Sequence, residues 1–163
     1  MEFLLSEIEK ALENELYFIA LQTTLSLPDI CGALQSEDGK ASKIKYICWY
    51  NKYVKNSKVL ISAEECYNFR CSCLHQGTSQ HPKSSYTRII FLYPNKDITM
   101  HNNILGDSLN IDLIIFCKSI INAVRKWGTE IYNDTNYLKN YERLIRIYPN
   151  GIPTYIVGIP VIS

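Results

Sequence analysis

The sequence predicts a mainly α fold, a bundle of about five helices with a small inserted β-hairpin. Three observations predict it. Leu4, Leu5, Ile8, Leu12, Leu16 and Ile19 recur at helical spacing near the start, and Leu109, Leu113, Phe116, Ile120, Val124, Trp127 and Ile131 do so over a longer run. Between them, YTRIIFLY concentrates β-branched and aromatic residues. At 163 residues the chain fits one domain that can bury a core without disulfides or a metal, with a helical body over 1–147 and an extended tail over 148–163.

The first apolar run predicts a helix over 2–24 that ends before Pro28, with Glu2, Glu7, Glu9 and Glu13 on its wet face. Glu15 falls on the apolar side, which makes it a rim residue reaching water or a buried polar contact. The breakers SEDGK at 36–40 precede a second helix from Ala41 to about Lys55, where Ile44, Ile47, Cys48 and Val54 form an apolar stripe and Tyr46, Trp49 and Tyr53 project elsewhere. Ser62 with Glu65 three residues later is a capping-box pattern, and Gly77 is suited to the left-handed cap that closes a third helix whose apolar face carries Cys66, Phe69 and Cys73. A polar linker leads to YTRIIFLY, which a PNKD turn joins to Ile98-Thr99-Met100 as a hairpin. The long periodic run that follows is the expected central core helix. A last helix spans about 137–147, before Pro149, Gly151, Pro153 and Pro160 rule out more.

With 47% hydrophobic and 20% charged residues and a formal net charge of +1, the composition is that of an ordinary globular protein, and global charge predicts no acidic partner. MEFLLSEIEK lacks the basic start and small-residue cleavage site of a signal peptide. The longest apolar stretch, LNIDLIIFCKSIINAV, is interrupted by Asp112 and Lys118 and is too short to span a bilayer. Six cysteines without secretory context read as free thiols in a reducing cytoplasm.

The third helix holds the chain's one legible cluster of chemistry. Arg70 carries a permanent charge in a fork that suits phosphate oxygens, and His75, five residues on, can exchange a proton near neutral pH. Together they suffice for RNA cleavage without a cofactor or metal: the 2′-hydroxyl attacks the adjacent phosphate, His75 moves the proton as general acid/base, and Arg70 stabilises the developing charge. The alternative is structural. Arg70 would pair with a carboxylate such as one on the acidic first helix, and His75 would cap helix carbonyls beside Gly77.

The segment RCSCLH resembles the R-x4-6-H motif of the HEPN superfamily, compact helical bundles many of which are metal-independent RNases in toxin–antitoxin, CRISPR and other defence systems. Cys71 stands where the family often has Asn, Asp or His. The resemblance implies a HEPN-like bundle over residues 1–147, RNA as substrate, Arg70 as phosphate clamp and His75 as acid/base. As partners it implies a second copy of the chain and, where such RNases are toxins, an antitoxin protein. At about 100° per residue the two side chains leave a straight helix roughly 140° apart. One chain is therefore not expected to focus them, and the family's way of building one composite site from two motifs across a homodimer interface becomes part of the expectation. The second functional reading is a non-catalytic helical interaction or RNA-binding module related to HEPN proteins.

From Lys40 to Lys58 there are six lysines and no acid, interleaved with aromatics. Lys43, Lys45, Lys52 and Lys55 are candidates to hold an RNA backbone while Trp49 stacks on a base. The bland alternative is a core aromatic face with wet lysines. Cys66, Cys71, Cys73 and His75 lack paired metal-site spacing, so no metal is expected. Neither a Gly-rich phosphate loop nor an H-E-x-x-H or G-x-S-x-G pattern occurs.

Overall fold

The N-terminal periodicity is carried by two helices instead of one. A computed structural model describes residues 1–54, 61–95 and 97–163. Helix α1 (Glu2–Glu13) stops where Glu15 takes the left-handed conformation with φ 59°. Glu15 N–H then donates to Leu12 O at 3.2 Å and Leu16 N–H to Ala11 O at 2.8 Å, the paired bonds of a Schellman cap. The chain turns, so Leu16 and Ile19, expected in the core, are exposed, and Glu15 reaches water. The expected single helix over 2–24 fails because a non-glycine residue adopts the cap conformation.

Helix α2 (Tyr17–Leu34) runs through Pro28, contrary to the expected stop. Proline removes one helical N–H, but burial along the helix outweighs that loss. Leu21, Leu25, Leu27, Cys31 and Leu34 are all buried, on several sides of the helix, and α2 packs against α1 and against the later helices α3 (Lys43–Tyr53), α4 (Ala63–Gln76), α5 (Leu113–Ile131) and α6 (Thr135–Tyr141). The central helix is thus α2, not α5. At Gly32 an added Cβ would lie 3.1 Å from the Lys45 Cβ and 3.2 Å from the Lys45 carbonyl, so glycine sets the close approach of α2 and α3.

Helix α3 keeps only part of the expected stripe inside: Val54 is buried and Ile47 half-buried, but Cys48 is exposed. Tyr46, Trp49, Tyr50 and Tyr53 are buried and Ile44 is 75% exposed. Rings decide the facing because they bury more area than the aliphatic positions and find partners: Trp49 meets Trp127 edge-on at 6.3 Å and Tyr46 meets Tyr67 at 5.3 Å. Helix α5 matches its expected face, with Leu113, Phe116, Ile120, Val124, Trp127 and Ile131 all buried and Asp112 accepting from Ile115 N–H at 2.8 Å as N-cap. Leu109 precedes it in a strand.

That strand, β3 (Ser108–Asp112), pairs parallel with β1 (Arg88–Leu92) and antiparallel with β2 (Asn103–Leu105). The hairpin is β2–β3 around Gly106-Asp107, not YTRIIFLY with residues 98–100, which form no strand. Lys96 of the expected PNKD turn, like Lys55 at the expected end of the second helix, lies outside the described residues. Helix α6 is shorter than expected: Arg146 donates to the carbonyls of Tyr141 and Glu142, both at 2.9 Å, and closes the helix end. The tail folds back on itself as β4 (Ile147–Tyr148) with β7 (Val161–Ile162) and β5 (Gly151–Ile152) with β6 (Ile156–Val157). Among the described residues, no helix is long and apolar enough to cross a membrane.

Phe116 is fully buried and lies edge-on to Phe91 at 5.0 Å, joining α5 to the sheet. Phe116→Ala is expected to cost about 3–5 kcal/mol. Urea denaturation should show a lower midpoint with an unchanged slope.

Candidate functional site

Helix α4 is built as its end signals dictate. The Ser62 side chain accepts from Glu65 N–H at 3.2 Å, and Gly77 closes the helix with φ 66°. The Glu65 carboxylate does not turn back to complete the box. It accepts from Ser84 Oγ at 2.7 Å and from Ser85 N–H at 2.6 Å, tying the polar linker to the start of α4. Cys66, Phe69 and Cys73 are buried as their spacing predicts.

Arg70 lies on the flank of that buried face, against α2. Its Nη2 is 2.6 Å from Asp29 Oδ2, with side-chain exposures of 18% and 10%; the contact is an ion pair whose alignment falls short of a hydrogen bond. Its Nη1 is 3.2 Å from His75 Nε2. A guanidinium has no acceptor, so Arg70 donates and His75 accepts, which assigns the histidine as the Nδ1–H tautomer. The guanidinium also lies 6.0 Å from the Tyr67 ring, and Lys43 Nζ lies 5.6 Å from the same ring. Arg70 Nε is buried without a hydrogen bond among the described residues.

One chain therefore brings Arg70 and His75 together, against the expectation from angular spacing. That arithmetic describes how side chains leave the helix. It omits the reach of an arginine, whose flexible stem lets the head swing along the helix to a histidine in the last turn. The carboxylate on Arg70 comes from Asp29 of α2 and not from the acidic first helix. Glu2 and Glu9 of α1 instead hold Arg125, at 2.5 Å and 2.8 Å.

Burial raises the Asp29 carboxyl above the ordinary aspartate range, outweighing the opposing pull of Arg70. Sequence reasoning missed Asp29 because an acid after a proline looks like a loop residue. Its one signal was an isolated carboxylate within an apolar run.

Among the described residues, the lysine stripe lacks the open Trp49 ring expected to stack on a base. Trp49 is 3% exposed and offers no open face for stacking. Lys45 pairs with Asp38, whose carboxyl is held well below its usual range by that hydrogen bond, and Lys52 lies 3.7 Å from Glu130 and 4.7 Å from the Tyr53 ring. Lys43 stays beside Tyr67, and Lys55 lies outside the described residues. All six cysteines are free, and burial pushes the Cys66 thiol up to about 12 and Cys117 to about 11. Among the described residues, no cluster of His, Cys, Asp and Glu could hold a metal ion.

No protein-family model, no curated protein and no solved structure matches the chain. The site's chemistry rests on its own geometry.

Asp29→Ala leaves Arg70 charged and unpaired at the α2–α4 contact, at an expected cost of about 3–5 kcal/mol by chemical denaturation. Replacing both by apolar residues, Asp29→Leu with Arg70→Met, should recover most of it. The pH dependence has a definite sign. The folded state holds a proton on Asp29 that the unfolded chain has released, so this group's contribution falls as pH rises from the ordinary aspartate value through the raised one. Asp29→Asn should flatten that segment of the stability curve.

Proposed function

We propose that this protein is a HEPN-like, metal-independent endoribonuclease in which Arg70 and His75 act on the scissile phosphate. The observation that carries the reading is the 3.2 Å contact between Arg70 Nη1 and His75 Nε2 at the exposed end of α4. A guanidinium beside an exposed imidazole supplies charge stabilisation and proton transfer at one point.

In this reaction the ribose 2′-oxygen bonds to phosphorus as the P–O5′ bond breaks, leaving a 2′,3′-cyclic phosphate and a 5′-hydroxyl. His75 of one copy takes the 2′-hydroxyl proton, and His75 of a second copy returns a proton to the departing 5′-oxygen, as the family resemblance implies for a homodimer. An incoming phosphate replaces His75 as the acceptor for Arg70 Nη1, which frees Nε2 to work as base. Asp29 positions the guanidinium meanwhile through Nη2. Lys43, beside the same Tyr67 ring, is a further cation for the backbone.

One observation favours a second reading, a non-catalytic helical interaction or RNA-binding module. Half of the Arg70 fork is spent on Asp29, as it would be in a strut between helices.

Cleavage of single-stranded RNA by the purified protein in excess EDTA separates the two. His75→Ala should reduce it by about 10²–10⁴-fold and Arg70→Ala at least as much, with unchanged circular dichroism and a dimer in sedimentation. Arg70→Lys keeps a charge opposite Asp29 and guards against loss of fold. Parent protein that cuts no RNA, or histidine and arginine variants that cut as well as the parent, would sink the enzymatic reading.

A further inference from the structure

Asp29 belongs to two neighbourhoods. Besides pairing with Arg70, it lines a pocket of about 340 Å³ walled by Ile30, Leu34, Ala33 and Leu144, with Arg143 at its border. That volume is within the range of small-ligand sites, about 300–1,000 Å³. Its polar groups are not all engaged. Asn140 donates to the carbonyls of Leu34 at 3.1 Å and Ser36 at 2.7 Å and so finishes α2. The exposed Arg143 guanidinium has no ion-pair partner among the described residues, and Asp29 Oδ1 accepts no hydrogen bond there.

We infer that this pocket is a guanine-nucleotide subsite, with Asp29 reading the base and Arg143 holding its phosphate. The inference rests on the ribonuclease reading, since Asp29 joins the pocket to Arg70 and His75. The base follows from hydrogen-bond chemistry. With Oδ2 held by Arg70, Oδ1 of the ionised carboxylate is left to accept, and guanine is the base whose pairing edge brings two adjacent donors, N1–H and the N2 amino group, to one acceptor oxygen. Adenine and cytosine set an acceptor nitrogen beside their amino group, and uracil flanks its N3–H with two carbonyls. Each would turn a lone pair toward Asp29. The aliphatic walls suit the faces of a planar ring, and a guanidinium matches phosphate oxygens.

Calorimetric titration of the full chain with GMP, AMP, CMP and UMP tests this directly. GMP should bind about tenfold or more tighter than the others, and Asp29→Asn should erase the difference. Arg143→Ala should weaken GMP about tenfold and leave guanosine unchanged. Ala41→Trp fills the pocket from its exposed rim without touching the carboxylate, and it should abolish binding even if Asp29→Asn does not fold. Equal affinities for the four nucleotides, or GMP binding indifferent to Arg143→Ala and Ala41→Trp, would overturn the inference. His75→Ala should keep GMP binding while losing cleavage, which separates this pocket from the catalytic reading. Cleavage without guanine preference, with no GMP binding, defeats the pocket alone; GMP binding without any RNA cleavage defeats the enzyme alone. Cuts clustered beside guanines in an oligonucleotide, inhibited by GMP, identify the natural occupant as a unit of RNA rather than free nucleotide.

Discussion

The burial of α2 is the constraint on which the rest of the structure depends. A helix covered by five others can carry few polar groups, because leaving one unanswered from within the protein is costly. Its end carbonyls are answered by Asn140 of α6, and its indispensable close approach to α3 is bought with Gly32. Its one carboxylate, Asp29, is answered by Arg70 of α4. The candidate site is thus a by-product of packing as much as of chemistry.

The same constraint fixes what Arg70 can do. Held by Asp29 on Nη2, it keeps Nη1 for a partner at the surface, and in the resting structure that partner is His75. Such a guanidinium is pre-oriented, which lowers the cost of ordering it around an acceptor, but it is also partly neutralised. Burial raises the Asp29 carboxyl against the opposing pull of Arg70. Nearby, Arg70 and Lys43 both approach the Tyr67 ring of α4.

Where the sequence was legible, a local rule and the tertiary environment agreed. Helix α5 has a single apolar stripe, and α4 has a serine at its start and a glycine at its end, so both could be read. The reading failed where the two disagreed. Glu15 took a conformation that glycine usually marks, Pro28 was retained inside a helix whose burial compensates for it, and the rings of α3 outcompeted its aliphatic residues for the interior. In the sheet, β1 found its partner in β3, twenty residues along, because parallel pairing leaves no turn signature between the two strands.

By itself, the sequence determined that the chain is mainly helical, which residues fill α5, and that an arginine and a histidine stand near the end of α4. These depend on periodicity, caps and residue chemistry, which are local properties. Only the tertiary structure decided that Asp29 faces Arg70, that Arg70 reaches His75 within one chain, and that Trp49 belongs to the core. Each of those depends on which helices become neighbours, and that is set by how the whole apolar surface is most completely covered.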